Sequence, residues 1–229
     1  MNGPNVWVVI PAFNEQSTIA CVVRSLRASG YQSVCVVNDG SSDGTSAGAR
    51  AAGAHVLDHI TNFGQGAALQ TGIRYALARG AGFICTFDAD GQHSPRSIAD
   101  LMVALDRSQA DVAIGSRFLG GESNVPLLRR ALLRAAVIFT RLHARVPVTD
   151  THNGLRLFTR RAAACIQIEQ PGMAHASEIL QKLSAARLRI VEVPVTITYT
   201  AHSRKKGQSG FESVKILLDL LYGAIALRS

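Results

Sequence analysis

Two carboxylates one residue apart stand out as side chains that could bind a metal ion. Asp88 and Asp90 follow the strand-like run 83–87, and Gln92 comes two residues later. Carboxylate and amide oxygens suit a hard cation such as Mg²⁺ or Mn²⁺. Because Pro95 begins a predicted helix just after them, the same residues also fit a solvated turn with aspartates at capping positions. The triplet by itself leaves both interpretations open.

Polar groups also follow the first two strand-like runs of the chain. Residues 11–15 come after the run 6–10, and Asp39 comes shortly after the run 34–37. Ligands of open α/β sheets bind beyond the carboxyl ends of the strands, where a carboxylate can accept hydrogen bonds from a base or ribose. Residues 41–45 are explained by helix capping and receive no chemical role.

The glycine-bearing segment 62–66 opens a predicted helix, where its backbone N–H groups can face an anion. It is not a complete Gly-x-Gly-x-x-Gly fingerprint, and no acidic residue ends a strand about 20 residues later. These two departures argue against a dinucleotide-dependent oxidoreductase.

The elements that position these groups alternate between strand-like and helix-like patterns. This alternation predicts an α/β fold with a mainly parallel sheet and helices on both faces, and the continuous apolar runs are typical of strands buried on both sides. The polar groups are then expected on one rim. The predicted strands are 6–10, 34–37, 55–57, 83–87 and 111–114, and the predicted helices are 16–29, 43–52, 64–79 and 95–106.

The regular alternation ends near residue 115, and no linker marks a boundary there. We therefore expect a single domain over residues 1–229, with parts at 1–115, 116–199 and 200–229. The later elements are predicted to be a basic helix (126–145), a turn (150–154), a helix (174–187), an extended pair (189–198) and a final amphipathic helix (211–227).

The composition of the chain indicates where the protein acts and which kinds of partner it binds. The 229-residue chain is 47% hydrophobic, has no apolar run approaching the roughly 20 residues of a membrane span and has no signal peptide, so a cytoplasmic protein is expected. A net charge of +8 favours acidic partners such as nucleic acid, anionic lipid or a phosphorylated substrate. Aromatic residues are only 6% of the chain, and nucleic-acid motifs are absent from the sequence, so nucleic acid is not expected.

The four cysteines are widely spaced and form no Cys-x-x-Cys pair, which predicts buried free thiols with no disulfide or zinc site. They are Cys21, Cys35, Cys85 and Cys165.

A series of ordered motifs resembles the family-2 inverting glycosyltransferases of GT-A fold, and within them the dolichyl- and polyprenyl-phosphate sugar synthases. The resemblance covers nearly the whole chain and implies metal-dependent transfer of a sugar from a nucleotide-sugar donor. The motifs are Ile10-Pro-Ala-Phe-Asn-Glu15, Val36-Val-Asn-Asp-Gly-Ser-Ser-Asp43, Asn62-Phe-Gly-Gln-Gly66, Phe87-Asp-Ala-Asp-Gly-Gln-His93, Ile114-Gly-Ser-Arg-Phe118 and Asn153-Gly-Leu-Arg-Leu-Phe158.

The resemblance also implies roles for residues on the donor side. By that resemblance residues 1–115 bind the nucleotide sugar, Asp88, Asp90 and Gln92 hold Mg²⁺ or Mn²⁺ with the diphosphate, and Ala89 contacts the substrate. The positions implied for the nucleoside are Pro11, Phe13, Glu15, Val37 and Asp39.

Further roles are implied on the acceptor side, in residues 116–199 and the basic loop that follows. Arg117, Arg129 and Arg204 resemble phosphate-binding arginines, although each also fits a solvated surface charge. Glu178 resembles the catalytic base used with hydroxyl acceptors, and Asp150 is the second candidate for that role. A phosphate acceptor needs little help from a base, and either residue also fits a structural role.

The sequence departs from the family at Gln65, where many relatives carry lysine, which leaves the donor undefined. The chain also ends soon after the catalytic domain, without the transmembrane helices that some relatives append. Membrane contact is then expected from the tail 211–227 and from a basic face, although core packing or a subunit interface in a homo-oligomer explains the same pattern. The basic face comprises Arg130, Arg134, Arg141 and Arg145.

Three functions remain open from the sequence. The leading one is sugar transfer to a polyprenyl phosphate at the cytoplasmic face of the membrane. The second is transfer to a sugar hydroxyl during surface-polysaccharide or lipopolysaccharide assembly, and the third is a non-catalytic nucleotide-sugar-binding module. A sugar nucleotidyltransferase is disfavoured, because the sequence has no N-terminal glycine-rich loop with an arginine.

Overall fold

The computed structural model describes residues 5–119, 148–151, 153–170, 172 and 174–198. The predicted helices at 126–145 and 211–227 lie outside these residues. The strands are β1 (Val6–Ala12), β2 (Ser33–Asn38), β3 (His55–Asp58), β4 (Phe83–Thr86), β5 (Val112–Ser116), β6 (Arg156–Thr159) and β7 (Ile190–Pro194). The helices are α1 (Ile19–Ala28), α2 (Thr45–Ala51), α3 (Gln65–Ala78), α4 (Arg96–Ser108), α5 (Arg160–Cys165) and α6 (His175–Ala185).

The described strands form one sheet in the order β3-β2-β1-β4-β6-β5-β7. β6 runs antiparallel to both of its neighbours, and the other pairings are parallel. The predicted mainly parallel sheet is therefore confirmed. Within the described residues, no helix combines the length and the apolar character that crossing a membrane requires.

Each face of the sheet supports its own apolar core. In β1, Trp7 and Val9 pack into a cluster with Ile73 of α3 and Ile179 of α6. The alternate side chains of the same strand point the opposite way, because successive side chains of a strand face opposite sides. There Val6, Val8 and Ile10 join a second cluster with Ile19 and Val23 of α1 and Ile98 and Leu101 of α4. Helices therefore cover both faces, as predicted.

Three elements differ from the sequence prediction. β6 and α5 were not predicted, because the short run 155–158 is interrupted by a charged residue, Arg156, that normally marks a surface position. The extended pair predicted at 189–198 is one strand, β7, which pairs with β5. The extended segment after β7 is also bound to the rest of the fold, because Thr198 N–H donates to the Gln92 carbonyl oxygen over 3.0 Å.

All four cysteines are free, as predicted, but the prediction that they are buried is wrong for two of them. Cys35 and Cys85 lie within the sheet and are buried, and burial raises the pKa of Cys35 to about 12. Cys21 and Cys165 are exposed, because they fall on the outward faces of α1 and α5.

Candidate active site

One cavity of about 620 Å³ opens at the carboxyl ends of β1, β2 and β4. Its wall continues across the start of β6 to the first turns of α3 and α6. The three polar groups singled out in the sequence meet in this cavity, as the parallel strands require. Of the predicted site residues, its lining includes Pro11, Phe13, Glu15, Asp39, Asp88, Ala89 and Asp90.

Val37 and Gln92 lie beside this cavity rather than in its lining. The Val37 side chain is fully buried in the core, so any contact with a ligand is left to its backbone. Gln92 binds its neighbour Asp90. Arg129 and Arg204 lie outside the described residues.

Asp39 receives hydrogen bonds from the loop that leads into α3. Its Oδ1 accepts from Phe63 N–H at 3.0 Å, and Oδ2 accepts from Gly64 N–H at 2.7 Å. His59 Nδ1 lies 2.7 Å from Oδ1, and His59 Nε2 lies 3.0 Å from Thr71 Oγ1. Asp39 therefore fixes the wall of the cavity around residues 62–64.

Gly40 is a glycine for a clear steric reason. Its φ is +70°, and an added Cβ would lie 2.4 Å from the carbonyl carbon of Thr61. The chain after β2 therefore passes directly against the loop that contains Phe63 and Gly64. Phe63 itself remains 48% exposed beside the cavity.

Asp88 is held from two sides. Its Oδ2 lies 3.1 Å from His93 Nε2, and Gly154 packs so closely that a Cβ there would lie 2.2 Å from Oδ1. Burial raises the pKa of Asp88, but the His93 hydrogen bond and the nearby charge of Arg117 outweigh it, and the net shift is downward. Asp88 is therefore an ionised carboxylate at neutral pH.

Asp90 has two other acidic residues, Asp88 and Glu15, near it. Its Oδ1 accepts from Gln92 N–H at 3.0 Å, and its Oδ2 accepts from Gln92 Nε2 at 2.6 Å. Burial and then the charge of Asp88 raise the pKa of Asp90, and Glu15 adds to the effect. A cation bound here would relieve that repulsion.

These donors fit Mg²⁺ or Mn²⁺. Within the part of the chain that the structure describes, no cluster of three or more His, Cys, Asp or Glu side chains is arranged as a metal cage. Mg²⁺ does not require one, because it is usually held by one or two carboxylates, substrate phosphates and water. Asp88 and Asp90 are the carboxylates that would hold it.

Arg117 and Asp150 form an ion pair just outside the cavity lining. Arg117 Nε lies 2.7 Å from Asp150 Oδ2, and Nη2 lies 2.7 Å from Oδ1, which is the bidentate geometry of a strong charge-assisted pair. Asp150 is 1% exposed. Glu192 of β7 holds the same segment, accepting from Thr149 N–H at 2.8 Å and Asp150 N–H at 3.2 Å. Asp150 therefore positions Arg117.

Glu178 lies outside the cavity lining and binds backbone. Its Oε1 accepts from Glu169 N–H at 2.9 Å, and its Oε2 accepts from Gln170 N–H at 2.9 Å. Lys182 Nζ is 2.9 Å from Oε1. Glu178 thus ties α6 to the segment before it.

Arg156 lines the cavity, and the sequence assigned it no role. It is 3% exposed, and its nitrogens donate to backbone carbonyls of Asn153 at 3.1 Å, Thr151 at 2.7 Å and Ala176 at 3.4 Å. Burial lowers the pKa of Arg156 to about 10, so it stays charged at neutral pH. Its place in the Asn153-Gly-Leu-Arg motif was the available signal.

The sheet and the site together indicate the class of protein. Acidic side chains at the carboxyl ends of parallel strands, facing one polar cavity, are typical of nucleotide-binding α/β proteins. Comparison with known sequences makes this more specific. The chain belongs to glycosyl transferase family 2, whose profile matches residues 7–166, and it is a glycosyltransferase.

Similar proteins include the UDP-N-acetylglucosamine–dolichyl-phosphate N-acetylglucosaminyltransferase of Methanococcus voltae. It is 30% identical, and the alignment covers 94% of each chain. The undecaprenyl-phosphate mannosyltransferase of Micrococcus luteus is 34% identical over 96% of this chain and 95% of that protein.

Among solved structures, glucosyl-3-phosphoglycerate synthase from Mycobacterium tuberculosis has a similar fold. Its complex with Mn²⁺, uridine diphosphate and glucosyl-3-phosphoglycerate superposes with a TM-score of 0.66 at 22% identity, covering 95% of this chain and 80% of that one. This likeness confirms the GT-A-like α/β fold.

Proposed function

We propose that the protein transfers a sugar from a nucleotide-sugar donor to a polyprenyl-type phosphate, assisted by Mg²⁺ or Mn²⁺. The observation that carries this proposal is the meeting of Asp39, Asp88 and Asp90 in one cavity. The relatives that match this chain over nearly their whole length, and that are named for dolichyl or undecaprenyl phosphate, support the acceptor class.

The charges of the cavity suggest how a donor lies in it. The nucleoside lies toward Phe13 and Asp39, and the diphosphate lies toward Asp88 and Asp90. Two carboxylates would repel a diphosphate, so this arrangement would need a divalent cation, which Asp88 and Asp90 would hold. When bound, the cation neutralises negative charge on the departing nucleoside diphosphate.

The acceptor phosphate supplies the nucleophile. One of its oxygens forms a bond to the anomeric carbon of the sugar, and the bond from that carbon to the donor diphosphate breaks. The nucleoside diphosphate leaves with the electron pair, and the configuration at the carbon inverts. The Arg117 guanidinium, oriented by Asp150, contributes positive charge near the phosphates. We assign the same role to Arg129 and Arg204.

A lipid acceptor places the enzyme at a membrane. We propose peripheral contact with an anionic bilayer on its cytoplasmic face, which the net charge of +8 supports. The basic face of Arg130, Arg134, Arg141 and Arg145 and the tail 211–227 are the proposed contacts.

The decisive experiment follows a labelled sugar into lipid. The full chain is incubated with MnCl₂, a polyprenyl phosphate in detergent and a panel of radiolabelled UDP- and GDP-sugars, and the organic phase is counted. We expect a labelled lipid with one of these donors and none when EDTA replaces MnCl₂. Label only in water-soluble glycan would favour the hydroxyl-acceptor function, and no transfer at all would favour a nucleotide-sugar-binding module.

Asp90→Asn tests the metal assignment in the same assay. The change removes a charge from the proposed cation site, and we expect transfer to fall by at least about a hundredfold with an unchanged circular dichroism spectrum. Asp106→Asn is the control, because Asp106 is an exposed acid on α4. Equal activity of the two variants would overturn the assignment of Asp90.

A further inference from the structure

His175 begins α6 and lines the cavity, yet the proposed function gives it no role. Its Nδ1 lies 2.7 Å from the carbonyl oxygen of Gly172. A carbonyl oxygen only accepts hydrogen bonds, so Nδ1 must carry the proton. In a neutral ring, Nε2 then presents a lone pair.

The surroundings keep this imidazole neutral. Burial lowers the pKa of His175, and the nearby charge of Arg156 lowers it further. The Gly172 carbonyl and the charge of Asp88 oppose the shift, but the net direction is downward. Among the described residues, no group forms a hydrogen bond with Nε2. The ring therefore offers the cavity a fixed hydrogen-bond acceptor.

Close packing holds the ring in place. A Cβ on Gly66 of α3 would lie 3.0 Å from the His175 Cβ and 2.0 Å from the Gln170 carbonyl oxygen. The starts of α3 and α6 therefore meet with no spare volume between them. Arg156 of β6 reaches the same turn of α6 through its hydrogen bond to the Ala176 carbonyl.

The sheet order indicates which part of a donor meets this ring. β2, β1, β4 and β6 lie side by side, with Asp39 after β2 and Asp88 after β4. In a nucleotide sugar the diphosphate links the nucleoside to the sugar and so lies between them. With the nucleoside near Asp39 and the diphosphate near Asp88, the sugar extends toward Gly154 and α6. This step rests on the proposed function.

We propose that His175 accepts, through Nε2, a hydrogen bond from a hydroxyl group of the donor sugar. The residue is thereby a specificity determinant that favours a sugar carrying a free hydroxyl at the position facing α6. The proposed contact is with the sugar rather than the nucleoside, because the charged groups that act on the ring include Asp88 and Arg156, on the diphosphate side of the cavity.

Calorimetric titration separates this role from general binding. The full chain and His175→Phe are titrated in MnCl₂ with UDP, UDP-glucose, GDP and GDP-mannose. We expect the variant to raise the Kd of the nucleotide sugar that the parent protein binds by about threefold to tenfold. The Kd of the corresponding nucleoside diphosphate should not change, because it lacks the sugar.

Two further variants complete the comparison. His175→Gln places an amide oxygen near the position of Nε2 and should recover part of the affinity. His55→Phe removes an exposed histidine of β3 and should bind like the parent. If His175→Phe changes both Kd values by the same factor, or neither, the inference is overturned. If the parent binds neither these compounds nor any nucleotide sugar of the panel used in the transfer assay, the proposed function fails and the inference with it.

Monodeoxy analogues of the bound nucleotide sugar identify the hydroxyl. One analogue should bind the parent more weakly by the same factor that His175→Phe produces. His175→Phe should then bind that analogue as tightly as it binds the intact nucleotide sugar, because the deoxy change and the His175 change remove the same hydrogen bond. Additive losses for every analogue would contradict the contact.

Discussion

Several acidic residues in or beside the cavity bind the protein's own backbone. Asp39 accepts from two N–H groups of the loop before α3, and Glu178 accepts from two N–H groups before α6. Asp150 accepts from the N–H and the side chain of Arg117. These contacts shape the cavity walls, so an acidic residue near the site is not by itself a base.

Asp150→Ala tests the buried ion pair. The change leaves the Arg117 guanidinium without its carboxylate in a mostly buried position, and we expect the free energy of unfolding to fall by about 3–5 kcal/mol. Urea denaturation followed by circular dichroism measures it. The double variant Asp150→Ala/Arg117→Met should lose less, because both charges are removed. A loss below about 1 kcal/mol for the single variant would show that the pair acts like a surface salt bridge.

At the scale of the elements, Glu178 joins α6, which forms one side of the cavity, to the segment 166–170. The same segment meets α3, where Ile168 N–H donates to Gln70 Oε1 over 2.5 Å. Changes in this contact should therefore alter the stability of the fold as well as the shape of the site.

Glu178→Gln separates a structural role from a catalytic one. An amide NH₂ group would face one of the backbone N–H donors, so we expect the free energy of unfolding to fall by about 1–3 kcal/mol. We also expect the transfer rate to stay within about tenfold, because a phosphate acceptor needs no base. Glu169→Gln, a 75% exposed side chain that also pairs with Lys182, is the matched control. A rate loss of about 10²–10⁴ in Glu178→Gln would indicate a general base and a hydroxyl acceptor.

Gly66→Ala tests the close contact between α3 and the segment before α6. The new methyl group would overlap the Gln170 carbonyl oxygen, and we expect a loss of at least about 1–3 kcal/mol in the free energy of unfolding. Gly48→Ala in α2 is the control, because its Cβ would make only ordinary contacts at 3.5 Å. That variant should gain about 0.5–1 kcal/mol from helix propensity. Thermal melts of both variants measure the difference, and equal stability would contradict the packing argument.

The sequence predicted the elements whose periodicity is strong and local. The apolar runs of β1, β2 and β4 were predicted, and because these strands are parallel, Asp39, Asp88 and Asp90 were expected together at their carboxyl ends. β6 was missed because Arg156 interrupts its apolar run, and the carbonyl groups that stabilise this buried charge come from an irregular segment just before the strand and from α6, which no periodic pattern reveals. The partners of Asp150 were hidden because they lie 33 and 42 residues away, and long-range contacts have no local pattern. Glu178 binds backbone N–H groups of an irregular segment eight and nine residues before it, which hydrophobic periodicity does not reveal.

For the whole molecule, the excess of positive charge governs its partners. The net charge of +8 favours anionic surfaces, and the sequence places four arginines on the predicted basic face. Total charge and a localised basic face make different predictions for membrane binding, so matched charge reversals can distinguish them.

Arg134→Glu with Arg141→Glu should reduce sedimentation with phosphatidylglycerol vesicles, and the residual binding should weaken further at high salt. Arg24→Glu with Arg74→Glu makes the same change in net charge at exposed positions of α1 and α3. This control should keep most of the binding. If both pairs lose binding equally, total charge is responsible, and if the parent never binds vesicles, the proposed membrane contact is wrong.

The position of β6 has a consequence for how the chain is made. β4 and β5 do not pair with each other, because β6 lies between them, and β5 has β7 on its other side. A ribosome therefore releases β5 long before either strand that will flank it. Until residue 159 has emerged, β4 presents an open edge and β5 has no place in the sheet, which exposes apolar strands to aggregation. Completion of this fold must therefore wait for its later residues.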